Sequence, residues 1–137
     1  FIYFLFNFFS FTPYQYTYLN ILNGKIKNGY KKFENDYWGA SIGDLIKSAD
    51  FNKNKDLKFG FCGLNEKILE TFLIENGYNN FSIVNIENAE YVVMTNRVVE
   101  KENNYLELIS CFDRYSGNDL FSIKRNGLVL STIRVVN

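Results

Sequence analysis

Four oxygen-bearing side chains fall at alternate positions in the stretch DFNKNKD, residues 50–56: Asp50, Asn52, Asn54 and Asp56. That alternation imitates a calcium loop. A helix–loop–helix calcium site also needs Gly at its sixth position and a bidentate Glu at its twelfth. Here those places hold Lys55 and Phe61, so the stretch reads as a polar turn. The stretch GFCG, residues 60–63, offers a second chemistry, because glycine-rich strand-to-helix loops hold phosphates. It lacks the full G-x-G-x-x-G pattern and no Lys-Ser/Thr pair follows. The simpler reading is a tight turn in which Gly63 adopts a backbone angle closed to other residues.

Cys62 stands where a nucleophile could stand. The chain contains no His, so no imidazole is present to activate it, and a small buried hydrophobe is the expectation. With Cys111 it makes neither a disulfide framework nor a zinc pattern by spacing. The absence of His also excludes His-based triads and His metal sites. No metal or other cofactor is expected. Asp36, Tyr37 and Trp38 form the one group suited to a sugar: aromatic faces take C–H surfaces and a carboxylate takes hydroxyls. A packed Trp beside a turn-capping Asp is the competing reading. Asn80-Phe81-Ser82 is a glycosylation sequon, relevant only in a eukaryotic secretory setting.

These residues must be positioned by elements the hydrophobic pattern announces. In TPYQ, Thr12 can cap a helix, Pro13 fits its first position and Gln15 completes a capping box. Tyr14, Tyr18, Ile21 and Leu22 then share one face, and Asn23-Gly24 stops the helix. Residues 23–35, with Lys25, Lys27, Lys31 and Lys32, read as a linker. Ser41 is the expected cap of a second helix with Asp44 in its first turn and a buried stripe of Ile42, Leu45, Ile46 and Ala49.

DLKFGFCG reads as a strand with Leu57, Phe59 and Phe61 on one face. LNEKILETFLIENG reads as a helix whose stripe is Leu64, Ile68, Leu69, Phe72 and Leu73, stopped by Gly77. Residues 81–86 read as a strand, and Tyr91 to Met94 as a central strand buried on both faces. Tyr105, Leu108, Ile109 and Phe112 fit a helix over 102–115. The chain closes on a hairpin turning at Asn126-Gly127. The fold class is therefore α/β: a small mixed sheet with flanking helices and a C-terminal β-hairpin.

Composition sets the outer bounds. A chain of 137 residues, 47% hydrophobic, can bury one core. Its formal net charge is zero, so no basic surface asks for nucleic acid. Six of the 14 Phe lie in the first eleven residues, and no charge precedes Lys25. A bilayer-spanning helix needs roughly 17–25 apolar residues. Residues 1–11 are therefore expected to be the end of a truncated transmembrane helix, with a buried core helix and a signal-peptide tail as alternatives. The tyrosines that follow suit the boundary between lipid and water.

Three stretches together resemble a known family. PYQYTYLN, FENDYWGAS and AEYVVMTNR are similar to the C-terminal part of bacterial polytopic glycosyltransferases of the dolichyl-phosphate-mannose–protein mannosyltransferase-like superfamily. The matching positions are Pro13, Tyr14, Gln15, Tyr16, Tyr18 and Asn20; then Asp36, Tyr37, Trp38, Gly39 and Ser41; then Ala89, Tyr91, Val92, Thr95, Asn96 and Arg97. Departures are Thr12 where relatives often carry His, Leu19 for Phe, and Glu90 for Asp.

The resemblance implies an enzyme that moves a sugar from a polyprenyl-phosphate carrier to an acceptor outside the cytoplasm. Its catalytic carboxylate would lie in an early outer loop upstream, so this chain alone would hold no catalytic residue. The implied layout is a membrane end (1–11), a juxtamembrane amphipathic helix and linker (12–35), and an extracytoplasmic, periplasmic-side α/β domain (36–137). Expected partners are membrane lipid, the polyprenyl-phosphate-linked sugar donor and the upstream transmembrane part of the same protein. Tyr14, Gln15, Tyr18, Asn20, Asp36 and Trp38 are the candidates for meeting carrier or acceptor. Charge alone argues the other way on sidedness, since four lysines just past a span favour the cytoplasm. Two other readings stay open: a membrane-tethered module that binds a protein or glycan, and a nucleotide-binding α/β domain using GFCG.

Overall fold

The computed structural model describes residues 2–10, 39–101, 104–125 and 127–136. Helix α1 spans Ile2–Ser10. Its apolar side chains face outward: Ile2 is 83% exposed, Phe6 71% and Phe9 68%. Among the described residues no helix is long and apolar enough to cross a membrane.

The rest of the described chain builds on one five-stranded sheet in the order β2-β1-β3-β7-β6. Strands β1 (Leu57–Cys62), β2 (Phe81–Ile83) and β3 (Tyr91–Thr95) run parallel to one another. Strand β7 (Leu128–Val136) lies antiparallel to β3, and β6 (Gly117–Arg125) antiparallel to β7. The mixed α/β class with a C-terminal hairpin is as the sequence pattern reads, and the Tyr91–Thr95 strand is central and buried from Val92 onward.

Side chains alternate across a strand, so β1 and β3 each serve two cores. Leu57, Phe59, Val93 and Ile133 face helices α2 (Ile42–Ser48) and α3 (Glu66–Glu75). Those helices bury Ile42, Leu45, Ile46, Leu69 and Leu73, the core of the stripes read from sequence. Asn65 caps α3 by accepting a hydrogen bond from the Lys67 amide at 2.9 Å. The helix ends in a Schellman motif: the Tyr78 amide donates to the Leu73 carbonyl and the Gly77 amide to that of Ile74, with Gly77 at φ +80°.

The opposite face carries Cys62, Val92 and Met94. It is covered by a 3₁₀ turn at Ile86–Asn88, by the hairpin β4 (Val98–Lys101) and β5 (Asn104–Ser110), and by the short helix α4 (Cys111–Arg114). Here the helix expected over 102–115 is corrected to a strand followed by one helical turn. The pattern NYLELIS supports a period of two as well as 3.6. The β-branched Val98 and Val99 supply a partner strand, pairing with Ser110 and Ile109. The strand expected over 81–86 stops at Ile83.

Two local expectations change as well. Ser41 sits before α2 but makes no side-chain cap; its hydroxyl donates instead to Ser131 Oγ at 2.6 Å, across ninety residues of chain. Cys62 is buried, yet it is no free thiol: it forms a disulfide with Cys111.

Candidate functional site

The six residues expected to meet carrier or acceptor, Tyr14, Gln15, Tyr18, Asn20, Asp36 and Trp38, lie outside the described residues, as do Thr12 and Pro13. Two of the three family-like stretches continue into the described structure, and they come together. Gly39, bonded to Trp38, lies at the carboxyl ends of β1 and β3. A methyl group built on it would stand 4.0 Å from Leu64 Cβ and 4.0 Å from Thr95 Cγ2. Ser41 reaches Ser131, which is the register partner of Thr95. The end of DYWGAS therefore meets the end of AEYVVMTNR.

This is the crevice position of an open parallel sheet, where the connections from neighbouring strands leave toward opposite faces. Strand β1 feeds α3 on one face, and β3 feeds the β4–β5 hairpin on the other. In this molecule the gap is tied shut. Thr95 Oγ1 donates to the Gly63 carbonyl at 2.8 Å. The Cys62–Cys111 disulfide joins the end of β1 to the start of α4, with the Cα atoms 5.8 Å apart. The Cys111 amide donates to the Arg97 carbonyl at 2.9 Å. Gly63 has φ +79°, and a Cβ there would fall 2.5 Å from Thr95 Oγ1 and 2.8 Å from Arg97 Cβ. The room beside Gly63 is used by protein atoms, so GFCG is a packed turn and no phosphate cradle.

The polar groups of this edge are buried and neutral: Ser41, Thr95, Asn96, Ser110 and Ser131. Ser110 donates to Asn96 Oδ1 at 3.4 Å and accepts from the Phe112 amide at 3.2 Å, capping α4. Among the described residues no buried side-chain nitrogen or oxygen lacks a partner. Hydroxyls and amides tied up in this way hold a backbone in place. What the arrangement can do is fix the point where the chain after Trp38 enters the fold.

Arg134 anchors the same cover from the sheet. Its Nε donates to Asp119 Oδ1 at 2.7 Å, and Nη1 donates to the carbonyls of Phe112 and Tyr115. The 50–56 stretch is a turn built on Asn52, whose side chain accepts from the Asn54 amide at 3.0 Å. Among the described residues no three His, Cys, Asp or Glu side chains gather as a metal site. Beside that turn, Tyr78 is buried and its hydroxyl donates to the Ala49 carbonyl at 2.7 Å. Burial pushes the phenol above its ordinary value.

The disulfide is the feature that spacing missed. Two cysteines 49 residues apart give no geometry by themselves. The usable signal was the even cysteine count combined with an expected extracytoplasmic location. No family model, curated protein or solved structure matches this chain.

Proposed function

We propose that this chain is the extracytoplasmic α/β domain of a membrane glycosyltransferase that transfers a sugar from a polyprenyl-phosphate carrier to an acceptor outside the cytoplasm. The observation that carries the reading is the meeting of two family-like stretches at one edge of the sheet: Gly39 and Ser41 arrive beside Thr95 and Ser131. In this reading the edge holds the segment bearing Asp36 and Trp38 toward the membrane surface. Tyr14, Gln15, Tyr18 and Asn20 meet the carrier headgroup or the acceptor, and the catalytic carboxylate belongs to an upstream outer loop.

The disulfide supports the location, because such bonds persist in oxidising compartments and are rare in the reducing cytosol. The uncharged, outward-facing aromatic helix α1 supports contact with lipid. The test is sugar transfer from a polyprenyl-phosphate donor in membranes containing the full-length protein. Asp36→Ala and Trp38→Ala are each expected to cut transfer at least tenfold with normal protein levels. Full activity in both variants removes the site assignment.

A second reading has its own observation. Every buried polar side chain of the described edge is satisfied internally, which suits a scaffold more than a reactive site. That suits a non-catalytic, membrane-tethered module that binds a protein or glycan as well as it suits a non-catalytic domain of the enzyme. A full-length protein with a single span and no transfer activity selects it.

A further inference from the structure

The sheet has two outer strands, β2 and β6, and they are protected differently. Strand β6 is long but broken by register shifts at Asp119/Phe121 and Ile123/Lys124, and it carries Asp119, Lys124 and Arg125. Bulges and charges of that kind discourage pairing. Strand β2, Phe81-Ser82-Ile83, has neither bulge nor charge.

Its backbone parity is fixed by its neighbours. The Asn80 carbonyl accepts from the Leu57 amide and the Val84 amide donates to the Phe59 carbonyl, so even-numbered residues face β1. The N–H and C=O groups of Phe81 and Ile83 point to the open side, where no described strand pairs with them.

A groove of about 480 Å³ runs beside this edge, lined by Glu66, Glu70, Ile74, Asn79, Phe81 and Ile83. Glu66, Glu70 and Ile74 form a single i, i+4, i+8 stripe along α3. Both carboxylates are exposed, and Ile74 is 55% exposed. Four helical residues rise about 6 Å. Two residues of an extended strand advance about 6.8 Å. A strand added to β2 would thus present alternate side chains almost in step with Glu66, Glu70 and Ile74.

We propose that the β2 edge and this stripe form a docking site for an extended segment of another protein carrying basic, basic and apolar side chains at successive alternate positions. Main-chain bonds to Phe81 and Ile83 would supply attachment, and the stripe would supply selection. Charge decides against a second copy of this chain as occupant, since pairing β2 with β2 brings two acidic stripes together. The inference stands apart from the glycosyltransferase reading.

The test uses the 137-residue chain and capped peptides with the pattern Lys-Thr-Lys-Thr-Val, in both directions, with Glu-Thr-Glu-Thr-Val as control. Amide resonances of Phe81 and Ile83 are expected to shift with a lysine peptide. N-methylating alternate residues along one peptide edge is expected to abolish the shift, while methylating the other edge spares it. Glu66→Lys with Glu70→Lys is expected to lower affinity at least tenfold and to reverse the preference toward the glutamate peptide. The proposal is overturned by no shift at millimolar peptide, by equal affinity for the acidic control, by a charge-reversed protein that binds unchanged, or by concentration-dependent self-association that perturbs the same amides.

Discussion

The two faces of the central sheet are covered by different means. On one face, α2 and α3 pack over the sheet to form a continuous apolar cluster of eleven buried side chains that includes Phe59, Leu69 and Val93. On the other, the corresponding cluster is Cys62, Val92, Met94 and Cys111, with a short hairpin and one turn of helix as cover. The thin side is held by bonds of other kinds: a disulfide, the Arg134 clamp on two carbonyls, and the bond from the Cys111 amide to the Arg97 carbonyl. A two-stranded hairpin alone is marginal in water. The contrast teaches that a cover too small to bury much apolar area can be retained by a few directional links.

The strongest way to break this contrast is to cut the covalent link. Closing a loop of 49 residues lowers the entropy of the unfolded chain by an amount worth about 4 kcal/mol. Cys62→Ser with Cys111→Ser is expected to destabilise by about that much in denaturant unfolding. Hydrogen exchange should then accelerate first in β4, β5 and α4, while α3 and β1 keep their protection. Uniform acceleration over both faces would mean that the two covers are not separate in kind.

On the helical face, Leu69→Ala is expected to cost about 3 kcal/mol through lost burial and a residual cavity, with no selective opening of β4–β5. Arg134→Met comes next. It keeps much of the side-chain volume but leaves the Phe112 and Tyr115 carbonyls without their charged donor, at about 2 kcal/mol. Its exchange pattern should resemble that of the cysteine double variant, not that of Leu69→Ala.

The smallest effect is expected at Tyr78→Phe, about 1 kcal/mol for the lost hydrogen bond to Ala49, and it sharpens the picture through pH. The buried phenol titrates above its ordinary value of about 10. The stability it contributes is complete below that value and is lost as pH rises through the folded-state value. The gap in Tm between the native chain and Tyr78→Phe should therefore narrow as pH climbs past about 10. A gap independent of pH would show that the phenol is not desolvated.

The contrast between faces also explains what could be read in advance. The helical face was legible because its stripes are periodic: Ile42, Leu45 and Ile46, then Leu69 and Leu73, recur at helical spacing and stay buried. Val92, Val93 and Met94 declared a central strand by being apolar in succession. The thin face was not legible, because its links are long-range. Nothing near Cys62 announces Cys111, and nothing near Arg134 announces the Phe112 and Tyr115 carbonyls. Tyr105, Leu108, Ile109 and Phe112 fit a helix until Val98 and Val99 provide a strand to pair with. Of the candidate site, the sheet edge receiving Gly39 and Ser41 is visible, whereas Asp36, Trp38 and the tyrosines lie outside the described residues.

Strand β7 lies between β3 and β6, yet it is the last described element in the chain. Chains leave the ribosome at about 5–20 residues per second. Between the emergence of Thr95 and that of Leu128, β3 waits for seconds with one flank unpaired. The partner of Cys62 arrives only part-way through that interval. The order of arrival therefore leaves the sheet half built until the β6–β7 hairpin closes on the open flank of β3, an edge open to other pairings for as long as it waits.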